Sequence, residues 1–200
     1  MPPEQRRAQV IAGLAASLLV IACAGDGADT GATAETADPT EPTAGSGEPP
    51  EPQRLVDHAL WSTARADDDP LATHRPDPLE CGIAGWYEEL GELEVDTNFC
   101  DYADLTQPAL VEIAAGSQLA LSLRHYDLTA AAPAQAHIAL LIGGDLIWED
   151  LIEIPGPAAV RIESATIPQK YPQGAPVRLH LHNHGQNTWI LGLVTVTAPE

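Results

Sequence analysis

Past residue 105 the apolar residues follow no helical repeat and fall into short runs, several with a period of two. Leu119, Leu121 and Leu123 alternate with Ala120, Ser122 and Arg124, which puts three leucines on one face of a strand. Residues 137–142 are almost continuously apolar and read as a central strand. Gly143-Gly144 makes a tight turn into Leu146-Ile147-Trp148, so these two strands form a hairpin. Further runs at 110–113, 151–154, 160–167, 177–182 and 189–197 are separated by Gly, Pro, Asp or Asn. Many short strands with turn residues between them predict an all-β fold, an antiparallel β-sandwich.

Ahead of these runs the chain is less regular. Residues 55–64 read as a short helix or an opening strand. Residues 66–78, with Asp67-Asp68-Asp69-Pro70 and three prolines, read as loop. The stretch 81–100 holds Trp86, Tyr87, Leu90, Leu93, Val95 and Phe99 and reads as one or two strands.

From residue 24 to 54 there is no Val, Ile, Leu, Met, Phe, Tyr or Trp, and the stretch ends in Glu48-Pro49-Pro50-Glu51-Pro52. A segment with nothing apolar to bury cannot offset its ordering entropy, so disorder is expected. As a coil its ends would stand roughly 30 Å apart, with a full reach of roughly 100 Å. Before it, Arg6 and Arg7 precede an apolar run at 10–22, short of the roughly 20 residues a spanning helix needs. The run closes with Leu19-Val20-Ile21-Ala22-Cys23.

Those residues resemble a bacterial lipoprotein signal peptide with its lipobox. The resemblance implies that residues 1–22 are removed and that Cys23 becomes a lipidated N-terminus. Residues 23–54 are then a spacer, and 55–200 form one domain in the cell envelope, anchored to a membrane on its non-cytoplasmic side. An uncleaved anchor, or an ordinary secretory peptide cut near Ala24, are the alternatives. With Cys23 lipidated, Cys81 and Cys100 remain, and in an oxidising compartment an even pair forms a disulfide.

The chain carries 29 acids against 9 bases, a formal net charge of −20. Residues 55–200 hold 21 of those acids and 6 of those bases, a net of about −15. Nucleic acids and anionic lipid surfaces are recognised by Lys/Arg patches, so neither is expected as a partner, and membrane contact is expected through the lipid alone.

The C-terminal half carries the Gly143-Gly144 hairpin with Trp148, then Val177-Arg178-Leu179-His180-Leu181-His182-Asn183-His184-Gly185-Gln186-Asn187-Thr188-Trp189, read as a closing hairpin, then Val194-Thr195-Val196. These pieces resemble the galactose-binding-like jelly-roll superfamily over residues 95–197. Many relatives carry an Asp pair shortly before the final Val-x-Val, where this chain has Gly192-Leu193. The resemblance implies a binding domain, for a glycan or a protein surface, rather than an enzyme.

His180, His182 and His184 stand at i, i+2 and i+4, so on a strand they share the face opposite Leu179 and Leu181. With the leucines in the core, the histidines face outward or into a shallow groove. Two such imidazoles can chelate Zn or Cu, with a third ligand from His184, His125 or His137; ordinary surface histidines are the competing reading. Glu88, Glu89, Glu92, Glu94, Asp96, Asp101 and Asp104 form an acidic run in a stretch without Lys or Arg. That run would suit a structural Ca²⁺ or a solvated face.

No Gly-x-Ser-x-Gly, His-Glu-x-x-His, phosphate-loop or dinucleotide fingerprint is present. Trp148 and Trp189 sit in apolar runs and are expected in the core. Trp86 and Tyr87, beside Gly85 and the acids, are the expected exposed aromatics. The sequence thus reads as a tethered, non-catalytic module contacting an envelope or extracellular glycan or protein through Trp86, Tyr87 and Arg178. The alternative is a Zn- or Cu-binding lipoprotein using the His180/His182/His184 row.

Overall fold

The computed structural model describes residues 49–200. The signal segment 1–22, the lipidation site Cys23 and the spacer as far as residue 48 lie outside the described residues.

Eleven strands make up the described fold: β1 (Gln53–Arg54), β2 (Ser62–Thr63), β3 (Trp86–Glu89), β4 (Glu92–Asp96), β5 (Tyr102–Pro108), β6 (Gln118–His125), β7 (Ala134–Ile142), β8 (Asp145–Ile154), β9 (Ala159–Thr166), β10 (Pro176–Asn183) and β11 (Thr188–Thr197). All pairs are antiparallel. One sheet has the order β3-β4-β11-β6-β9, with β1 added along β11; the other has the order β2-β5-β10-β7-β8. Among the described residues there is no α-helix, only 3-10 turns at His58–Leu60, Ala66–Asp68 and Ala72–His74. The predicted all-β antiparallel sandwich is the observed fold.

The core forms where the inner faces meet, and the period-two pattern places it. Leu119, Leu121 and Leu123 of β6 and Leu93 and Val95 of β4 face Ile138, Leu140 and Ile142 of β7 and Val177, Leu179 and Leu181 of β10 within one buried cluster. Trp148 and Trp189 are both buried, as expected. At the β7–β8 turn, Gly143 and Gly144 have φ of 62° and 95°, the left-handed region that a two-residue hairpin turn needs and that glycine enters without a Cβ penalty.

Several sequence readings are corrected. Residues 146–148 and 151–154 belong to the single strand β8, with an irregularity opposite Leu140/Leu141. Residues 110–113 are not a strand; Ile113 makes an isolated bridge to Tyr171. Strand β5 was not anticipated, because Asp104, Thr106 and Gln107 interrupt its apolar residues. The ladder begins at Gln53, two residues before the expected boundary, since backbone pairing with β11 needs no apolar side chain.

The largest correction concerns 177–197. The strands β10 and β11 are not a hairpin: they lie in different sheets, and residues 183–187 carry the chain from one to the other. The corner is a buried hydrogen-bond knot. Asn183 Nδ2 donates to Thr97 Oγ1 (2.9 Å) and to the Gly185 carbonyl (2.7 Å), and Asn187 N donates to Thr97 Oγ1 (2.8 Å). Asn187 Oδ1 accepts from Thr129 N (2.6 Å). A Cβ on Gly185 would stand 2.2 Å from the Thr129 carbonyl oxygen, so the approach of these loops requires glycine there.

Cys81 and Cys100 form the expected disulfide, 19 residues apart in sequence, and it closes the loop that carries β3 and β4. The chain-entropy account assigns such a closure roughly 3 kcal/mol, so reduction is expected to lower the urea midpoint of the folded domain measurably. Leu121→Ala removes a core side chain and is expected to cost about 3 kcal/mol. Ile162→Ala, on the outer face of β9 at 73 % exposure, is expected to cost under about 0.5 kcal/mol. Urea titrations of the two variants check the contrast; equal losses would contradict this assignment of faces.

Candidate functional site

The outer face of the five-stranded sheet is polar, which is unusual only because it is covered. Pairing registers place Tyr102, Asp104 and Thr106 of β5 beside His182, His180 and Arg178 of β10. His182 in turn faces His137 of β7, and Ala139, next on that face, pairs with Glu149 of β8. The loop at 66–78 crosses this face as a strap. Asp69 pins it: its carboxylate accepts from the Tyr102 hydroxyl and from Leu71 N (2.8 Å), with Arg75 Nη1 at 3.5 Å and Arg178 Nη1 at 3.9 Å. Arg178 also donates to the Asp68 carbonyl. Burial and the hydrogen bond to Asp69 push the Tyr102 phenol well above its usual range, so it stays a donor.

Under the strap two groups lack hydrogen-bond partners. Asp104 is 4 % exposed, and neither carboxylate oxygen meets a donor with hydrogen-bond geometry. Arg178 Nε stands 3.5 Å away and Arg75 Nη1 3.9 Å. Desolvation pushes the Asp104 carboxyl up to about 6, against the pull of Arg178. His180 is 1 % exposed, and both ring nitrogens are without a partner. Desolvation first, then the neighbouring His137, holds its pKa down at about 3, against the opposing pull of Asp69; the imidazole is neutral. His58 shows the ordinary state of a buried histidine: Nε2 reaches the Gly192 carbonyl at 2.7 Å, and Nδ1 accepts from Trp61 Nε1 at 3.0 Å.

His180 has company. Its ring centroid lies 5.0 Å from that of His137, 6.0 Å from His74 and 4.9 Å from Tyr102. The Nδ1 atoms of His74 and His137 are 3.1 Å apart, and His137 Nε2 is 2.9 Å from Glu149 Oε2. One ring nitrogen from each of His74, His137 and His180 lies within 4.8 Å of the others.

This rearranges the histidines anticipated from sequence. His180 and His137 converge, as two of the expected ligands. His182 is half-buried beside them, and His184 is exposed, its ring 4.3 Å from that of His182. His125 belongs to β6 in the opposite sheet, where it packs on Trp189 (4.8 Å), so it cannot join the row. His74 was missed because it sits in the proline-rich loop. The signal available was the loop's length, since long irregular segments in compact domains are usually functional or linker segments.

Trp86, Tyr87 and Arg178 do not share a face. Arg178 lies under the strap with 14 % of its side chain exposed, held by Asp69 and Asp104, while Trp86 and Tyr87 are in the other sheet. Tyr87 is 40 % exposed and donates to Glu94. Trp86 is half-buried against the core and lines a cavity of about 440 Å³ together with Thr63, Arg75, Cys81, Tyr102 and Asp104. The acids expected to gather around Ca²⁺ are dispersed. Glu92 pairs with Arg124, Glu94 accepts from Tyr87, Asp96 accepts from Asn98 N, and Asp104 is under the strap. Among the described residues the one convergent group of three metal-ligand side chains is His74, His137 and His180.

No protein-family model matches the chain, and no curated protein sequence matches it. Solved structures share its sandwich. The K3 cleaved adhesin domain of Lys-gingipain from Porphyromonas gingivalis W83 is 12 % identical over 74 % of this chain and all of its own length, with a TM-score of 0.45. The second N-terminal cellulose-binding domain of β-1,4-glucanase C from Cellulomonas fimi is 17 % identical over 78 % of this chain and 99 % of its own, with a TM-score of 0.40. Likeness at that level assigns neither ligand nor activity.

The buried histidines set a pH dependence. Unfolded, His180 and His182 take up protons below about 6.5; folded, burial keeps them neutral down to about 3 and about 4. Across that interval the unfolded chain binds more protons, so stability falls as pH drops from 6.5 toward 4. Asp104 acts in the opposite sense, since its folded carboxyl takes a proton near 6 while the unfolded one waits until about 3.9. Two histidines against one acid leave a net loss. Urea midpoints at pH 7 and pH 4.5 are expected to fall for the parent chain and to fall less for His180→Leu; identical pH dependence would contradict the assignment.

Proposed function

We propose that this chain is a membrane-tethered, non-catalytic module that binds a polyhydroxylated ligand, a glycan of the cell envelope, in the cavity between the strap, the disulfide loop and strand β5. The observation that carries the reading is Asp104: a buried carboxylate without hydrogen-bond donors on the wall of a cavity. Buried acceptors are satisfied in folded proteins, and one left open is a place where a ligand hydroxyl completes the set. Arg75 supplies donors on the same wall, and the Trp86 ring supplies an apolar surface on which a sugar face can lie. Asp104 is the one carboxylate among the residues lining the cavity. Hydrolysis of a glycosidic bond uses two, so binding fits the lining better than cleavage. The tether rests on the lipobox-like residues ending at Cys23, and the net charge of about −15 on residues 55–200 disfavours nucleic acid and anionic lipid as ligands.

Isothermal titration of the full chain against a panel of envelope oligosaccharides tests the reading. A binder is expected, with affinity reduced at least tenfold by Trp86→Ala and by the isosteric Asp104→Asn. The second variant keeps the side-chain volume, so it separates lost contact from lost folding. No binder in the panel, or a binder indifferent to both substitutions, would sink the proposal.

A further inference from the structure

We infer that His74, His137 and His180 form a binding site for one divalent first-row transition ion, Zn²⁺ or Cu²⁺. The site is separate from the cavity above, whose lining contains none of the three imidazoles, and it does not depend on the glycan reading.

The donor chemistry is right for such an ion. Neutral imidazole suits Zn and Cu, and the three rings come from three different elements: a 3-10 turn of the strap, β7 and β10. Two nitrogens held by one tetrahedral ion at the usual bond length stand about 3.3–3.4 Å apart. The Nδ1 atoms of His74 and His137 are already at 3.1 Å, and the third nitrogen needs a shift of the order of 1 Å from within its 4.8 Å limit.

The second observation is independent of that spacing. His180 is fully enclosed with both ring nitrogens unsatisfied. A neutral imidazole has one donor and one acceptor, and each left unmet in the interior is destabilising. Among the buried histidines of the described residues, His58 and His137 have both ring nitrogens met and His125 has one; His180 alone has neither. A bound ion would take up the His180 lone pair.

Two further features match a metal centre. His137 Nε2 faces the Glu149 carboxylate at 2.9 Å. That contact fixes the tautomer with hydrogen on Nε2 and turns the Nδ1 lone pair toward His74, the usual arrangement behind a ligating histidine. An open groove of about 580 Å³, lined by His74, His137, His182, His184 and Glu153 among others, runs from solvent to two of the three ligands and supplies a route in. The outer row residues His182 and His184 border this route rather than form the centre.

Titration of Zn²⁺ and Cu²⁺ salts into the full chain, purified without a histidine tag and dialysed against chelator, tests the site. One equivalent of at least one ion is expected, with a rise in melting temperature. His74→Ala, at an exposed position that leaves the core intact, is expected to weaken binding at least tenfold. Glu149→Gln is expected to weaken it roughly 10–100-fold through the orientation of His137, and His184→Ala is expected to leave it nearly unchanged. Failure of both ions to bind stoichiometrically overturns the inference. So does binding that survives His74→Ala, or binding that is lost with His184→Ala while His74→Ala is silent. Glycan affinity measured on His74→Ala keeps the two proposals apart, because that residue does not line the glycan cavity.

Discussion

The arrangement of polar groups in this domain depends on one buried carboxylate. Asp69 comes from the strap, yet its side chain is 1 % exposed. Taking a carboxylate out of water is costly unless hydrogen bonds and opposite charge replace the solvent. Here the Tyr102 hydroxyl, the Leu71 amide and the guanidinium of Arg75 do so. Since Tyr102 belongs to β5 while Leu71 and Arg75 belong to the strap, the same contacts that satisfy Asp69 fasten a proline-rich loop to the sheet. The strap then turns an outer sheet face into a second interior. Groups that would be surface residues on an uncovered sheet, His180 and Asp104 above all, become buried ones.

The covered face differs from the true core in one respect. Between the sheets, leucine, isoleucine and valine side chains fill the space and few polar atoms need partners. Under the strap nearly every side chain is polar, so each must be answered by another. Asp69 and Tyr102 are answered, Arg178 is shared between Asp69, Asp104 and the Asp68 carbonyl, and His137 meets Glu149 and His74. Asp104 and His180 are the members left over. They are cross-strand neighbours, so the two open positions lie side by side, one toward the cavity with Trp86 and the other toward the imidazoles. A partly satisfied polar network is poor as a stabilising device, and its open positions are where ligands compensate.

What could be read from the sequence follows from which side chains see one environment. Strand β6 shows a clean alternation because one face meets the core, and the Gly143-Gly144 hairpin announces itself by turn chemistry. Strand β5 was invisible: Asp104 points under the strap while Gln107, on the opposite side, accepts from Asp57 N (2.9 Å), so polar residues occupy both faces. The break between β10 and β11 looked like a hairpin because Asn183 to Asn187 has turn composition in either topology. Its use as a corner between sheets is decided by Thr97 and Thr129, distant in sequence. His180 and His182 lie on the face of β10 opposite the leucines, as the alternation implies, while His184 is past the strand's end in the corner. The covering of His180, and with it the convergence on His74, depends on a loop whose proline- and acid-rich sequence carries no pattern that says where it lies.

The long-range field also bears on the metal site. Residues 55–200 carry a net charge of about −15, and such a surface concentrates cations near it and repels anions. Cation capture by carboxylates alone would be weakly selective among hard ions. The acids of this domain are dispersed rather than convergent, and the convergent ligands are imidazoles, which favour softer transition ions. Burial keeps His180 neutral into the acidic range, so protons do not compete for its lone pair at neutral pH. Attraction at long range and selection at short range would then fall to different residues: the surface acids draw divalent cations in general, and the inferred site of His74 from the strap with His137 and His180 beneath it would set which of them is held.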